Sequence, residues 1–238
     1  MVLAMIEFYR LSSTDKVKPQ RVLGIVTGIV LLVIIYLFAS GKISLQILLI
    51  PALLTFTIFF VELFRNHDKY MLNLAVTYLG IIYIAIPLSL LPLLCYPKGI
   101  SDHYNYKIIL GYFVLLWIYD TGAYMVGSFI GKHKIMEKIS PGKSWEGLFS
   151  GWIISIGIAL ILARVFPVLS RIDWLIIATI IVITGTPGDF VESKFKRYAG
   201  VKDTGNLLPG HGGMLDRIDS VLLSVPFVII FLLIRQYL

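Results

Sequence analysis

The sequence predicts an all-α fold: a polytopic transmembrane helical bundle of about seven spans, preceded by a short N-terminal helix remnant. Three observations predict it. Of 238 residues, 58% are hydrophobic and only 15% charged, against roughly 25% charged in ordinary soluble domains. The apolar residues gather into repeated runs, most of about 18 residues or more, the length that crosses a bilayer as a helix. An open strand would leave its backbone polar groups unpaired in lipid, so each run reads as a helix.

Residues 1–10, MVLAMIEFYR, are too few to span and lack the basic start and cleavage site of a signal peptide. Residues 22–40 carry no charge, and 43–64 carry only Glu62 near the end. Residues 71–95 are uncharged but interrupted by Pro87 and Pro92, and 108–130 hold a single acid, Asp120. Residues 147–169 carry Arg164, 174–187 form a shorter apolar run, and 218–234 close the series with Asp219 in the first turn. Glu62 and Arg164, near span ends, are expected to reach the interface by snorkelling. No repeat, low-complexity tract or soluble segment divides the chain, which reads as a single integral-membrane domain over residues 1–238. Alternate connecting segments, counted from the N-terminus, hold 15 of the 21 lysines and arginines, which makes that side cytoplasmic. The net charge of +7 belongs to loops that fix topology and meet anionic headgroups, so no nucleic-acid partner is expected. Cys95 is the single cysteine, which excludes an internal disulfide and a cysteine-rich metal site.

The chemistry concentrates in residues 188–219, where ten of the 35 charged residues fall between Asp189 and Asp219. Charges placed beside hydrocarbon mark function more often than decoration. Asp189, Glu192, Asp203, Asp216 and Asp219 are hard oxygen ligands of the kind Mg2+ or Mn2+ takes. Lys194, Lys196, Arg197, Lys202 and Arg217 suit phosphate, and the glycine run that includes Gly212 and Gly213 can offer backbone N–H groups to an anion. Asp216 and Asp219, three apart, would share a helix face. Asp189 follows Pro187-Gly188, where the helix is expected to break. These three carboxylates are the expected metal ligands, with Glu192 a further candidate; the plainer alternative is an interfacial ion-pair network with Arg217 and Lys196. Asp120, deep in an uncharged run, is a further candidate whose partner is left open. Before the 147–169 run, Ser140-Pro141-Gly142-Lys143-Ser144-Trp145-Glu146-Gly147 places a capping serine, Lys143 and the Ser144 hydroxyl at a helix start, a natural seat for phosphate oxygens. Its plain alternative is a basic interfacial loop with a tryptophan anchor. Acids for a metal, bases for phosphate and a glycine turn point to phosphoryl or nucleotidyl transfer at a bilayer surface.

Ser193, Lys196-Arg197, Lys202-Asp203, Gly205, Leu208-Pro209, His211-Gly212-Gly213, Asp216-Arg217 and Asp219 resemble, without a gap, the signature of the phosphatidate cytidylyltransferases, or CDP-diacylglycerol synthases. The 140–147 segment and Asp120-Thr121-Gly122-Ala123-Tyr124 are similar to two further family segments. The resemblance implies that phosphatidic acid and CTP give CDP-diacylglycerol and pyrophosphate with the help of Mg2+, in contact with membrane lipids. It also implies a homodimer and a bacterial cytoplasmic membrane. By the residues themselves, His211, Lys202 and Asp203 are the catalytic candidates: His211 as proton carrier, donor to the departing pyrophosphate or plain structural donor, and Asp203 as a catalytic acid or a partner of adjacent lysines. Lys143, Ser144, Lys196, Arg197, Gly212, Gly213 and Arg217 take the phosphates. Relatives carry additional transmembrane sequence before a similar Glu-Phe-Tyr-Arg-Leu segment, so residues 1–10 resemble the last turns of a helix whose beginning is absent, through a misassigned start or natural shortening. The rival readings are a CTP-dependent lipid kinase, which needs a general base that the motif does not offer, an ion or phosphate transporter, and an inactive scaffold.

Overall fold

Backbone groups in lipid must be satisfied within their own segment, and the apolar runs accordingly fold as helices. A computed structural model of the protein describes residues 1–65, 67–97, 103–205 and 212–235. The helices are α1 (Val2–Ser12), α2 (Arg21–Ala39), α3 (Leu49–Leu63), α4 (Tyr70–Gly80), α5 (Ile86–Cys95), α6 (Tyr106–Ile130), α7 (Trp145–Val165), α8 (Arg171–Tyr198) and α9 (Asp219–Arg235). A 3-10 turn, Leu45–Leu48, leads into α3, and one π turn, Ile81–Ala85, joins α4 to α5. Among the described residues six helices are long and apolar enough to cross a membrane: Arg21–Ala39, Leu45–Leu63, Tyr70–Cys95, Tyr106–Ile130, Trp145–Val165 and Arg171–Tyr198. The seventh run is α9, described over 17 residues, at the short end of the spanning range. The polytopic helical bundle is therefore the observed architecture, with one β-hairpin that the sequence did not announce. Strands β1 (Lys134–Met136) and β2 (Ser140–Ser144) pair antiparallel, Lys134 opposite Ser144 and Met136 opposite Ser140.

The chain divides into two compact units, Met1–Leu93 with Tyr198–Ile218, and Leu94–Arg197 with Asp219–Leu238. In the first, polar side chains bind helix ends together. Glu62 is 2% exposed. Its carboxylate accepts hydrogen bonds from Gln20 Nε2 at 2.6 Å, Asn73 Nδ2 at 2.7 Å and Arg65 Nη1 at 2.9 Å. The snorkelling expected of it is corrected: a buried carboxylate needs donors on all sides, and three surrounding residues supply them. The 11-residue α1 is about 16 Å long and is held by its buried face, Ala4, Met5, Phe8 and Tyr9. Tyr9 donates its hydroxyl to the Thr77 carbonyl at 2.8 Å, its ring lying where Gly24 and Gly80 carry no side chain.

In the second unit α6 and α7 form a hairpin of closely approaching backbones. Ala123 and Gly127 on one helix face Gly147 and Gly151 on the other, where a methyl on Gly147 would stand 2.6 Å from the Ala123 carbonyl oxygen. Small residues at four-residue spacing are how membrane helices gain packing contact in a lipid solvent. Tyr112 and Ser224 share a hydrogen bond of 2.5 Å between α6 and α9, and Tyr119 bonds Thr186 on α8. The expected break before Asp189 does not occur. α8 runs unbroken through Pro187 to Tyr198, because neighbouring helices compensate a proline in a membrane helix. Gly188 brings α8 against the start of α9; a methyl there would lie 2.7 Å from the Asp219 carbonyl oxygen.

Gly147→Ala should therefore force the α6–α7 backbones apart and cost about 1–3 kcal/mol. Gly157→Ala, with nothing within 4 Å, should leave stability unchanged or slightly raised. Thermal unfolding of the two variants in detergent checks the contrast.

Candidate active site

The second unit gathers candidate side chains from four elements around Lys143 on β2. Ser144 ends the strand and caps α7: its hydroxyl accepts the Gly147 N–H at 3.2 Å, and it is buried. The cap is thus Ser144 rather than the expected Ser140, which opens β2. The strand carries Lys143 inward, where its ammonium pairs with Asp189 of α8 and lies 5.2 Å from the centre of the Phe190 ring. The Lys143 side chain is 29% exposed and that of Asp189 17%. Asp189 also accepts the Ser220 hydroxyl. Asp219, at the first position of α9, accepts the Ser220 N–H at 2.7 Å.

The unbroken α8 sets Glu192 and Lys196 on the same flank as Asp189, in an ion pair of 2.7 Å with the Glu192 side chain 1% exposed. Burial pushes the Lys143 ammonium down to about 8, against the pull of Asp219, Asp120 and Glu192, with Lys196 adding to the fall. Asp120 of α6, Lys143, Ser144 and Asp189 line a cleft of about 460 Å³, with Tyr119, Tyr124, Gly127, Gly131, Lys134 and Thr186 among its other walls. That volume suits a small-molecule ligand. Lys134 and Tyr124 were assigned no role from sequence. Lys134 reaches the cleft because the hairpin sets it opposite Ser144, a pairing no local pattern signals.

Asp120, Asp189, Glu192 and Asp219 outnumber Lys143 and Lys196 here, so the local charge favours a cation. The oxygens are of the hard kind that Mg2+ takes. Among the described residues no three acids, histidines or cysteines stand close enough to enclose a metal as they are. Donor kind and charge fit a divalent ion, with Asp189 now engaged by Lys143. Arg197 lies exposed at the end of α8.

The remaining signature residues belong to the first unit. Asp216 lies in a 3-10 turn, Leu215–Arg217, and Ile218 breaks from helical backbone before α9. The expectation that Asp216 and Asp219 share one helix face is therefore corrected. Asp216 Oδ2 accepts the Gly213 N–H at 2.7 Å and the Thr204 N–H at 2.9 Å, with the Thr204 hydroxyl also at 2.9 Å. The Gly213 amide is thus directed at a carboxylate. Gly212 adopts φ 75°, left-handed backbone that favours glycine. Lys202, Asp203 and Arg217 are exposed around this turn. His211 lies outside the described residues.

Comparison with known proteins adds a second line of argument. A family model described as the cytidylyltransferase family matches residues 1–235. Phosphatidate cytidylyltransferase of Staphylococcus epidermidis is 34% identical over 98% of this chain and 87% of its own length. The protein of that name in Staphylococcus haemolyticus is 35% identical with the same coverage. The one in Bacillus subtilis is 36% identical over 79% of this chain and 67% of its own length.

Ser144→Ala should remove the α7 cap at a cost of about 1 kcal/mol, and Ser144→Gly only a few tenths. Equilibrium unfolding of both variants distinguishes a capping serine from one that serves a ligand alone.

Proposed function

The chain belongs to the cytidylyltransferase family, and from that premise we propose that it transfers CMP from CTP to phosphatidic acid, giving CDP-diacylglycerol and pyrophosphate in phospholipid synthesis. The observation that carries the reading is Lys143: an ammonium set among carboxylates, on the strand that runs into a capped helix N-terminus, in the wall of a 460 Å³ cleft. The family signature over residues 193–219 and the names of the relatives support it.

The lipid phosphate is already an anion near neutral pH and needs no dedicated base. One of its oxygens forms a bond to the α-phosphorus of CTP while the bond from that phosphorus to the bridging oxygen breaks, and the electron pair leaves with pyrophosphate. Two polyanions must meet, so neutralisation and alignment are the enzyme's main tasks. Lys143 and the N-terminus of α7, with Ser144 at its cap, bind phosphate oxygens, and Lys196 and Arg197 add positive charge along α8. Lys202 and Arg217, exposed on the turn of the first unit, are further candidates for phosphate. Asp189 and Asp219 would hold Mg2+, or Mn2+; a bound divalent ion would screen the phosphates and polarise the reacting phosphorus.

The membrane-spanning helices keep the acyl chains in lipid. The excess of basic residues on alternate loops supports an active site facing the cytoplasm of a bacterial cell, where CTP is found. A homodimer rests on the family resemblance alone.

Detergent-purified protein given CTP, phosphatidic acid and Mg2+ should release pyrophosphate and CDP-diacylglycerol in equal amounts, and chelation should stop both. Lys143→Ala and Asp219→Asn should each lower kcat by about a hundredfold or more. Variants within a few-fold of the parent, or CDP in place of pyrophosphate, would remove this reading.

A further inference from the structure

Glu7 is an acid buried on the short helix α1, 8% exposed. Its donors come from a distant part of the chain. Oε1 accepts the Met214 N–H at 2.9 Å, and Oε2 accepts the Leu215 N–H at 2.9 Å. The Thr204 hydroxyl lies 3.0 Å from Oε2; having one proton, it serves Glu7 or Asp216 at a given moment. One helical turn along, Arg10 Nη2 donates to the Thr204 carbonyl at 2.9 Å. Thr204 is fully buried and is therefore gripped at its carbonyl, its hydroxyl and, through Asp216, its N–H.

The glycines beside it fit the same clamp. A methyl on Gly205 would stand 2.8 Å from Glu7 Oε1, and one on Gly213 would stand 2.5 Å from Glu7 Oε2. Gly205 stays small because the carboxylate fills the space, and Gly213 because the Thr204 hydroxyl and the carboxylate together fill it. The amides of 213–215 are consumed by Asp216 and Glu7; among the described residues of this stretch, the basic side chains of Lys202 and Arg217 are exposed. Burying an ionised carboxylate on an otherwise apolar face is costly without donors. The three donors near Glu7 all belong to the turn, so α1 and the turn order one another.

We propose that Glu7, assisted by Arg10, is a positioning residue for the nucleotide: it fixes Thr204 and the 213–215 backbone so that Lys202 and Arg217 meet the triphosphate as one rigid set. The inference rests on the cytidylyltransferase reading, and adds to it a residue on α1, outside the residue 193–219 signature. Glu7→Gln keeps the shape but replaces one acceptor oxygen by an NH2 group that faces donors. Tyr9→Phe is the control: it removes the bond to the Thr77 carbonyl, loosening α1 elsewhere while sparing the turn.

Two measurements decide the matter: steady-state kinetics with CTP and phosphatidic acid, and amide hydrogen exchange without substrate. In Glu7→Gln the KM for CTP should rise about tenfold, as misplaced binding groups dictate, and the KM for phosphatidic acid should stay within about twofold. The Met214 and Leu215 amides, which donate to Glu7, should exchange about tenfold faster or more, in step with the weakening of their acceptor. Tyr9→Phe should move neither KM. A mere loss of folded protein lowers kcat alone and leaves both KM values in place. An unchanged KM for CTP in Glu7→Gln, unchanged exchange at Met214 and Leu215, or an equal rise in Tyr9→Phe each overturns the inference while the parent remains a cytidylyltransferase. A parent that turns over neither substrate fails at the function itself, and takes the nucleotide role of Glu7 with it.

Discussion

A charge near the low-dielectric part of a membrane protein must have its counter-charge close by, and in the second unit the pair that meets this demand is Lys143 with Asp189. Much of the local architecture serves to bring the two together. The hairpin of β1 and β2 holds Lys143 near the end of its strand, and Ser144 then turns the chain into α7. Glycines between α6 and α7 allow the backbones to approach, so the wall behind the lysine is close-packed. On the other side, the continuity of α8 through Pro187 determines where Asp189 points. A broken helix would have freed it to turn toward water. Instead Gly188 lets the start of α9 approach, and Ser220 adds a second hydrogen bond to the same carboxylate. Losing one member of such a pair strands the other, which is more costly than losing both.

The helical runs were legible because lipid permits few alternatives to a helix, so composition and run length determine the class. Lys143, Ser144, Asp120, Asp189 and Asp219 were legible as candidates because charge and hydroxyls stand out against hydrocarbon. Three features were hidden, each for a physical reason. Pro187 carries a general warning against helix, and only the observed continuity of α8 reveals that the warning is overridden. The hairpin is built from two strands of three and five residues, too short for an alternating pattern, so Lys134 could not be placed in the cleft. Glu62 sits near a span end, where local sequence suggests water. Its donors Gln20 and Asn73 are 42 and 11 residues away.

The signature region also conceals a boundary. Residues up to Arg197 and from Asp219 onward belong to one compact unit, and Tyr198–Ile218 belong to the other. Read as a string, the motif seems to describe one constellation of acids, bases and glycines. Read in the fold, it is the stretch in which the chain leaves one unit and returns to it. Asp216 and Asp219 illustrate the point: three residues apart, they fall on a 3-10 turn and on a new helix, with the non-helical Ile218 between them. Spacing that would align two carboxylates on a continuous helix carries no such meaning across a break in the backbone.

The glycines of the signature deserve the same distinction. A glycine-rich run beside basic residues invites the reading that bare amides await a phosphate. Here two kinds of glycine have different causes. Gly212 is required by its left-handed backbone. Gly205 is required by the Glu7 carboxylate, and Gly213 by that carboxylate with the Thr204 hydroxyl, which occupy the volume a side chain would need. The amide of Gly213 is already spoken for by Asp216. The motif's small residues on this turn therefore record an internal acid as much as an external anion. That acid lies about 200 positions earlier in the chain, on a helix whose length alone would suggest little importance. A buried carboxylate that collects its donors from a distant turn cannot be removed without disordering the turn, and the turn cannot shift without exposing the carboxylate to an unpaired, apolar setting. Apart from Glu7, α1 packs through Ala4, Met5, Phe8 and Tyr9, and Tyr9 ties it to the span beside it.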